Sequence, residues 1–229
     1  MAEEKSRSIA VIIPAKDEEQ RIGNVLRAAA ASKLATEIVV VSDGSSDRTA
    51  EVAARYPGVT VVRLPVNLGK GAAMAKGVEK TKAEIVAFVD ADLHGLTAEH
   101  IDQIIWPVLT DQCEVCIGIF RGGKFWSDTA QKFAPYISGQ RAMKRWIFEA
   151  TPDLSDLRFG VEYALNYQAK RVKARVLRVV IRGVSNSHKE KKLGIGKGLR
   201  ARTKMYVEIG QAMVKTRKKR KPPRGFRWK

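Results

Sequence analysis

Apolar and polar positions along the first hundred residues fall into two kinds of alternating block. Short, continuous apolar runs have the length typical of strands buried on both faces; they lie at 8–14, 37–41, 59–64 and 84–89. Between them, apolar residues recur every three or four positions, as in amphipathic helices; these stretches cover 17–32, 46–55, 69–81 and 97–109. The alternation predicts βαβ units, and therefore an α/β fold with a mainly parallel central sheet and helices on both faces.

The second half of the chain is less regular. Strands are predicted at 113–120 and 175–182, and a helix at 158–170. The segment 138–141 is expected to lead into a further helix that ends near Glu149. Cys113 and Cys116 form a Cys-x-x-Cys pair within a strand-like segment, where residues three apart face opposite ways, so we interpret them as structural. We predict one domain over 1–211 and a basic tail over 212–229.

Charge is divided very unevenly between the two ends of the chain. Residues 1–169 hold 20 Lys and Arg against 22 Asp and Glu, whereas 170–229 hold 22 against 2. A nearly neutral body with a strongly cationic end predicts an anionic partner for that end. Nucleic acid and an acidic membrane leaflet both fit, and composition does not choose between them.

The sequence predicts a cytoplasmic protein. No apolar run approaches the roughly 20 residues that a membrane-spanning helix needs, and the polar start of the chain lacks a signal-peptide core. The tail offers another route to a membrane. Its segment 215–229 carries nine positive charges and no acid, which suits peripheral attachment to an anionic inner leaflet.

Acidic and glycine residues follow each of the first four predicted strands. In parallel sheets, ligands bind beyond the carboxyl ends of the strands, so these residues should line one site. The set consists of Asp17 and Glu18 after the first strand, Asp43 after the second, 67–71 after the third, and Asp90 and Asp92 after the fourth.

Each of the motifs at these strand ends has a chemical interpretation. Asp90-Ala91-Asp92 offers two carboxylates to Mg²⁺ or Mn²⁺, ions that prefer oxygen ligands. The Asp43 carboxylate suits a ring N–H of uracil or guanine, although an Asx-turn explains it equally well. Asn67-Leu68-Gly69-Lys70-Gly71 offers backbone N–H groups and a lysine charge to an anion, without matching a Walker loop.

Together, four ordered motifs resemble those of family 2 glycosyltransferases, which have the GT-A fold. They are Ile12-Ile13-Pro14-Ala15-Lys16-Asp17-Glu18, Val41-Ser42-Asp43-Gly44-Ser45-Ser46-Asp47, Asn67-Leu68-Gly69-Lys70-Gly71 and Asp90-Ala91-Asp92. The resemblance divides the domain into a nucleotide-binding half, 8–93, and an acceptor-side half, 94–211.

The same resemblance implies a role for each motif residue. Pro14, Asp17 or Glu18, and Asp43 are expected to hold the base and ribose of a nucleotide sugar. Asp90 is expected near the ribose and phosphates, and Asp92 at the metal. The full set expected to bind the nucleotide sugar is Pro14, Ala15, Asp17, Glu18, Asp43, Gly69, Lys70, Asp90, Ala91 and Asp92.

Two later segments are similar to polyprenyl- and dolichyl-phosphate sugar synthases: Ile137-Ser138-Gly139-Gln140-Arg141-Ala142-Met143 and Phe159-Gly160-Val161-Glu162. The likeness implies that Arg141 contacts an acceptor phosphate, with a helix-surface arginine as the alternative. Glu162 is either a catalytic base or a residue that orients the site. With Asp92, these two form the predicted catalytic set.

A histidine supplies a second predicted metal ligand. Glucosyl-3-phosphoglycerate synthase-like enzymes, which this chain resembles more weakly, place a histidine ligand after a comparable strand. The resemblance therefore pairs His188 with Asp92, and His94 is the alternative.

The sequence thus predicts a metal-dependent glycosyltransferase. The donor would be a UDP- or GDP-linked sugar, and the acceptor a polyprenyl phosphate or another phosphorylated molecule. One alternative is a retaining transferase that acts on a small acceptor such as phosphoglycerate. A nucleic-acid-binding protein that uses the basic C-terminal third would leave the acidic residues unexplained, so no specific nucleic acid is expected.

Overall fold

The computed structural model describes residues 7–121, 138–152, 154 and 160–186. The strands are β1 (Ile9–Ala15), β2 (Glu37–Asp43), β3 (Val59–Leu64), β4 (Ile85–Phe88), β5 (Leu93–His94), β6 (Val115–Arg121), β7 (Arg141–Lys144), β8 (Val176–Arg182) and β9 (Ser185–Asn186). The helices are α1 (Ile22–Ala30), α2 (Thr49–Ala54), α3 (Lys70–Lys80), α4 (Ala98–Leu109), α5 (Arg145–Glu149) and α6 (Val161–Arg171).

Seven strands form the central sheet in the order β3-β2-β1-β4-β7-β6-β8. All neighbours are parallel except β7, which runs antiparallel to both β4 and β6. The short strands β5 and β9 pair antiparallel in a separate ribbon. The predicted α/β fold with a mainly parallel sheet is therefore confirmed.

Helices cover both faces of the sheet, as predicted. Residues of α1, α2 and α4 pack with one set of strand side chains, and residues of α3, α5 and α6 pack with the alternate set. The side chains of β1 lie in both clusters, with Val11 and Ile13 on one face and Ala10 and Ile12 on the other. This double burial explains why the first strands appear in the sequence as continuous apolar runs.

The prediction of a helix that follows 138–141 and ends near Glu149 was wrong at its start. Arg141–Lys144 is strand β7, and only Arg145–Glu149 is helical. Met143 pairs with Val86 on one side and Val115 on the other, so this short segment lies inside the sheet. Tertiary pairing overrides a local pattern that is too short to distinguish strand from helix.

Two helices begin later than predicted, because polar residues at their starts bind elsewhere. α1 begins at Ile22 rather than Asp17, whose backbone is left-handed with φ of 54°. α2 begins at Thr49 and is not capped by Ser46, whose backbone N–H and hydroxyl donate to Asp17.

The prediction for the cysteine pair was wrong in geometry. Cys113 and Cys116 are fully buried free thiols in the same core cluster. Cys113 precedes β6, and its N–H donates to the carbonyl of Pro107, so strand alternation does not apply to it.

None of the helices in these described ranges has the length and apolar character required to cross a bilayer. Most of the segment 185–198 and all of the tail 212–229 lie outside the described residues, so the tail boundary stays a prediction.

Candidate functional site

The loops after β1 and β2 are joined by carboxylates that accept backbone N–H groups. Asp17 Oδ1 accepts from the N–H of Ser46 at 2.8 Å. Glu19 Oε2 likewise accepts from the N–H of Arg48 at 3.0 Å. In the opposite direction, Asp47 Oδ2 accepts from the N–H of Glu19 at 3.0 Å. These reciprocal bonds hold the two loops together at the carboxyl edge of the sheet.

The predicted residues of the first loop differ in exposure and partners. Ala15 is buried and Pro14 half-buried at the end of β1. Glu18 donates its N–H to Thr49 Oγ1 and pairs through its carboxylate with Arg21 at 2.5 Å. Burial disfavours ionisation of Asp17, but hydrogen bonds from Ser46 and Lys16 outweigh it and lower the pKa of Asp17.

Asp43 fixes the loop that leads into α3. Its Oδ1 accepts the N–H of Leu68 at 2.7 Å, and its Oδ2 accepts the N–H of Gly69 at 2.9 Å. Gly44 packs against the same loop: a Cβ added at Gly44 would lie 2.4 Å from the backbone of Asn67, so a larger residue would displace the loop. Asp43 is only 5% exposed. Each carboxylate oxygen keeps a second lone pair for another donor.

Lys70, the first residue of α3, joins two carboxylates from distant segments. Its Nζ lies 2.6 Å from Asp90 Oδ1 and 2.7 Å from Glu162 Oε1. Asp90 follows β4, and Glu162 lies in the first turn of α6. The predicted anion-binding lysine is thus balanced here by two protein anions.

Electrostatics keep Lys70 and Glu162 charged. Burial raises the pKa of Glu162, but the charges of Lys70 and Arg141 outweigh burial and lower it overall. For Lys70, burial acts to lower the pKa, whereas the neighbouring charges of Asp90 and Glu162 raise it well above its ordinary value. Glu162 is therefore an anion at neutral pH and a weak proton acceptor.

Gln140 completes the surroundings of Asp90, and we did not predict it. Its Nε2 donates to Asp90 Oδ2 at 2.7 Å, and the residue is 1% exposed. A Cβ at neighbouring Gly139 would lie 2.4 Å from the same oxygen, so the backbone packs directly against the carboxylate. Its neighbours Gly139 and Arg141 were in a motif we had singled out, but a glutamine alone carries no chemical signal.

Arg141 lies behind the cluster and is fully buried. One terminal nitrogen donates to Asn166 Oδ1 at 3.1 Å and to the carbonyl of Glu162 at 3.4 Å; the other donates to the carbonyl of Ser138. Its Nε has no hydrogen-bond partner among the described residues. Burial lowers the pKa of Arg141. Its contact with an acceptor phosphate stays a prediction, since the guanidinium has no exposed surface in this conformation.

Asp92 lies where the ribbon of β5 and β9 begins. Leu93, the next residue, pairs with Asn186. Gly95 approaches the end of β8 so closely that a Cβ there would meet the carbonyl of Gly183 at 2.2 Å. Asp92 is half-buried, Ala91 is buried and His94 is exposed. His188 lies outside the described residues.

The donor chemistry at this edge fits a hard divalent cation. Carboxylate oxygens such as those of Asp92 are the ligands that Mg²⁺ and Mn²⁺ prefer. Within the described residues, however, no group of three or more His, Cys, Asp or Glu is placed to hold a metal. A metal here would need ligands from a bound substrate or from residues outside those ranges.

Comparison with known proteins gives a family and a set of structural relatives. Residues 10–161, more than half of the chain, match the sequence profile of Glycosyl transferase family 2. Over 104 residues the chain is 36% identical to 4,4'-diaponeurosporenoate glycosyltransferase of Staphylococcus aureus. The match spans 43% of this chain but only 28% of that enzyme.

Solved structures of a mycobacterial enzyme share the fold. Glucosyl-3-phosphoglycerate synthase from Mycobacterium tuberculosis, in complex with phosphoglyceric acid, superposes with a TM-score of 0.71 at 22% identity. The superposition covers 92% of this chain and 80% of that one. The same enzyme with Mn²⁺, UDP and glucosyl-3-phosphoglycerate gives a TM-score of 0.70 at 22% identity over the same shares. These likenesses establish the GT-A type of fold for the chain.

Proposed function

The chain belongs to Glycosyl transferase family 2, and from that premise we propose that it transfers a sugar from a nucleoside diphosphate donor to a phosphorylated acceptor, assisted by Mg²⁺ or Mn²⁺. The donor is a UDP- or GDP-linked sugar. The conclusion depends most on one observation, the Lys70 ammonium that binds both Asp90 and Glu162.

The nucleotide is assigned to the loops after β1, β2 and β3. Asp43 sits at the end of β2 with spare lone pairs for a base N–H. Asp17, Asp47 and Glu19 fix the loops on either side of this position, so binding would require little reorganisation. A preformed wall of this kind reduces the ordering cost of association.

The metal is assigned to Asp92 together with His188. Asn186 pairs with Leu93, which brings the chain just before His188 next to Asp92. When bound, the metal would neutralise the diphosphate as it leaves. The carboxylate of Asp92 would hold the cation, and Asp90 would remain oriented by Lys70 and Gln140.

The state of Glu162 supports a phosphorylated acceptor. A catalytic base works best with a pKa near the working pH, whereas the contact with Lys70 lowers the pKa of Glu162. A phosphate acceptor is already an anionic nucleophile and needs no such base. We therefore assign Glu162 to orienting Lys70 rather than to proton transfer.

A small phosphorylated acceptor such as phosphoglycerate is the second candidate. The β5–β9 ribbon favours it, because it brings the chain near His188 to Asp92, as the retaining enzymes of this type require. Polyprenyl phosphate and phosphoglycerate share a phosphate, so separate arms of one assay distinguish them.

The test is a thermal-shift panel of nucleoside diphosphates with and without Mn²⁺, followed by transfer assays with each acceptor. UDP or GDP should raise the unfolding temperature only when metal is present. A ligand that binds the folded state raises the free energy of unfolding as the ratio of its concentration to its Kd increases. Asp92→Asn should abolish that shift and lower transfer by at least about 100-fold, roughly 2.7 kcal/mol. Asp102→Asn, on α4, is the control. If no nucleoside diphosphate binds with either metal, the donor class is wrong.

A further inference from the structure

A strip of positive charge runs along the end of α6 and strand β8. Its six exposed members, here called the basic edge, are Lys170, Arg171, Lys173, Arg175, Arg178 and Arg182. No Asp or Glu occurs in the sequence from 163 to 189. Arg175 pairs with Glu114 at 2.6 Å. The segment itself therefore carries charges of one sign, offset at Arg175 by Glu114, and it is separate from the basic tail.

The basic edge leads directly to the candidate site. β8 is the outermost strand of the described sheet, and its seven residues span roughly 20 Å. Its carboxyl end passes into Gly183, whose carbonyl packs against Gly95, and then into β9 beside Leu93. Leu93 follows Asp92, so a surface that binds this strand also lies next to the carboxylate assigned to the metal.

Two aliphatic side chains are exposed among these cations. Val180 is 37% exposed and shares a face of β8 with Arg178 and Arg182, whereas Leu177, which is 40% exposed, lies on the opposite face of the strand. Cationic side chains with neighbouring aliphatic groups suit the boundary between lipid headgroups and acyl chains. Proteins that bind single-stranded nucleic acid stack bases on aromatic side chains, and the sequence has no aromatic residue from 168 to 186. The composition of the edge therefore favours a lipid surface.

Protection against strand pairing does not account for the pattern. Charges on an edge strand prevent association with other strands, and either sign serves that purpose. The opposite outer strand, β3, carries Arg63 paired with Glu51 at 2.7 Å. The basic edge instead accumulates a single sign over thirteen consecutive positions, 170–182.

We propose that the basic edge is a docking surface for an anionic lipid bilayer, which holds the candidate site against the leaflet. The inference deepens the proposed function, on which it rests for its consequence: it selects a lipid-linked phosphate as the acceptor. Binding to the bilayer itself needs neither donor nor acceptor.

The test uses the full chain with three charge reversals, Lys173→Glu, Arg178→Glu and Arg182→Glu. The control reverses the same charge at three exposed positions elsewhere, Lys33→Glu, Arg55→Glu and Lys82→Glu. Sedimentation with vesicles containing one-third phosphatidylserine should weaken by about 100-fold for the edge variant, since each basic residue near an anionic surface contributes several-fold in affinity. The control variant should bind within about threefold of the unchanged protein, because its charges lie away from the surface.

A second variant tests the aliphatic contribution without changing charge. Val180→Ser should weaken vesicle binding several-fold and leave the unfolding temperature nearly unchanged, and Leu177→Ser, on the opposite face of β8, is its matched control. Vesicle binding that survives all edge variants overturns the proposal, as does loss of oligonucleotide binding without loss of vesicle binding. A failed transfer assay leaves the vesicle result intact, so the failure of the proposed function and the failure of this inference are distinguishable.

Discussion

Three aspartates at the carboxyl ends of β1 and β2 bind the backbone, whereas Asp90 after β4 and Glu162 in α6 bind side chains. Asp17, Asp43 and Asp47 each accept N–H groups from a neighbouring loop. Asp90 and Glu162 instead share one ammonium, with an added amide donor on Asp90. The first group fixes the shape of loops, and the second balances charge.

This difference separates two functions of the site. When a carboxylate that accepts backbone N–H groups is removed, the loop it holds becomes less ordered, and nucleotide affinity should fall. Removal of the shared ammonium leaves two buried like charges, which should affect turnover and its dependence on pH. We therefore expect the β1–β2 loops to control binding and the Lys70 cluster to control reactivity.

Lys70→Met should have the largest effect on this division. Without the ammonium, Asp90 and Glu162 cannot both remain ionised at low cost, so the pKa of at least one must rise. Transfer should fall by at least about 100-fold, roughly 2.7 kcal/mol. The acidic limb of the pH–rate profile should move to higher pH. Lys76→Met, also on α3 but exposed and paired with Glu79, is the matched control.

Stability provides an independent measure of the same substitution. In the unchanged protein the folded-state pKa of Glu162 is lowered. Ionised Glu162 therefore stabilises the fold at pH values above the ordinary pKa of a glutamate, and this stabilisation is lost as pH falls through the folded-state pKa. In Lys70→Met the sign reverses, and stability should fall as pH rises from 4 to 7. Urea midpoints that follow the same pH course in both proteins would contradict the assigned charge balance.

Gln140→Leu should have a smaller effect confined to the second group. Loss of the amide donor removes one contact of Asp90 and keeps the ion pair with Lys70, so the orientation of Asp90 loosens while its charge remains. We expect turnover to drop about tenfold, ~1.4 kcal/mol, with the Kd of UDP or GDP almost unchanged. Gln168→Leu removes a buried glutamine from α6 outside the cluster. If Gln140→Leu and Gln168→Leu lose the same amount of turnover, Gln140 has only a structural role.

The same division explains which parts of the site could be predicted from sequence. The strand-end acids and the glycine loop are contiguous motifs with a local chemical meaning, and the sheet brings them to one edge. The Lys70 cluster joins residues 70, 90, 140 and 162. Residues 70 and 90 follow predicted strands and are expected at one edge of the sheet. Only tertiary pairing brings residues 140 and 162 to them, and sequence patterns contain no measure of that proximity.

The misassigned segment just before α5 has the same origin. The segment is β7, whose position between β4 and β6 depends on two distant strands. The predicted helix would have placed Arg141 at a surface, so the sequence could not predict that Arg141 is buried. The strands β1 to β4, by contrast, are continuous apolar runs that can be recognised without knowing which strands they pair with.

Asp43→Ala should have an effect of the same size as Gln140→Leu, but on nucleotide binding rather than on turnover. The substitution leaves the N–H groups of Leu68 and Gly69 without their acceptor and removes the proposed partner of the base. The Kd of UDP or GDP with Mn²⁺ should rise about tenfold, ~1.4 kcal/mol, as measured by calorimetry. Inorganic diphosphate should lose less than about threefold, because it has no base; Asp43→Asn, which keeps one acceptor oxygen, should lie between. Equal weakening of both ligands would show that Asp43 only anchors the loop, and the base contact would have to be assigned elsewhere.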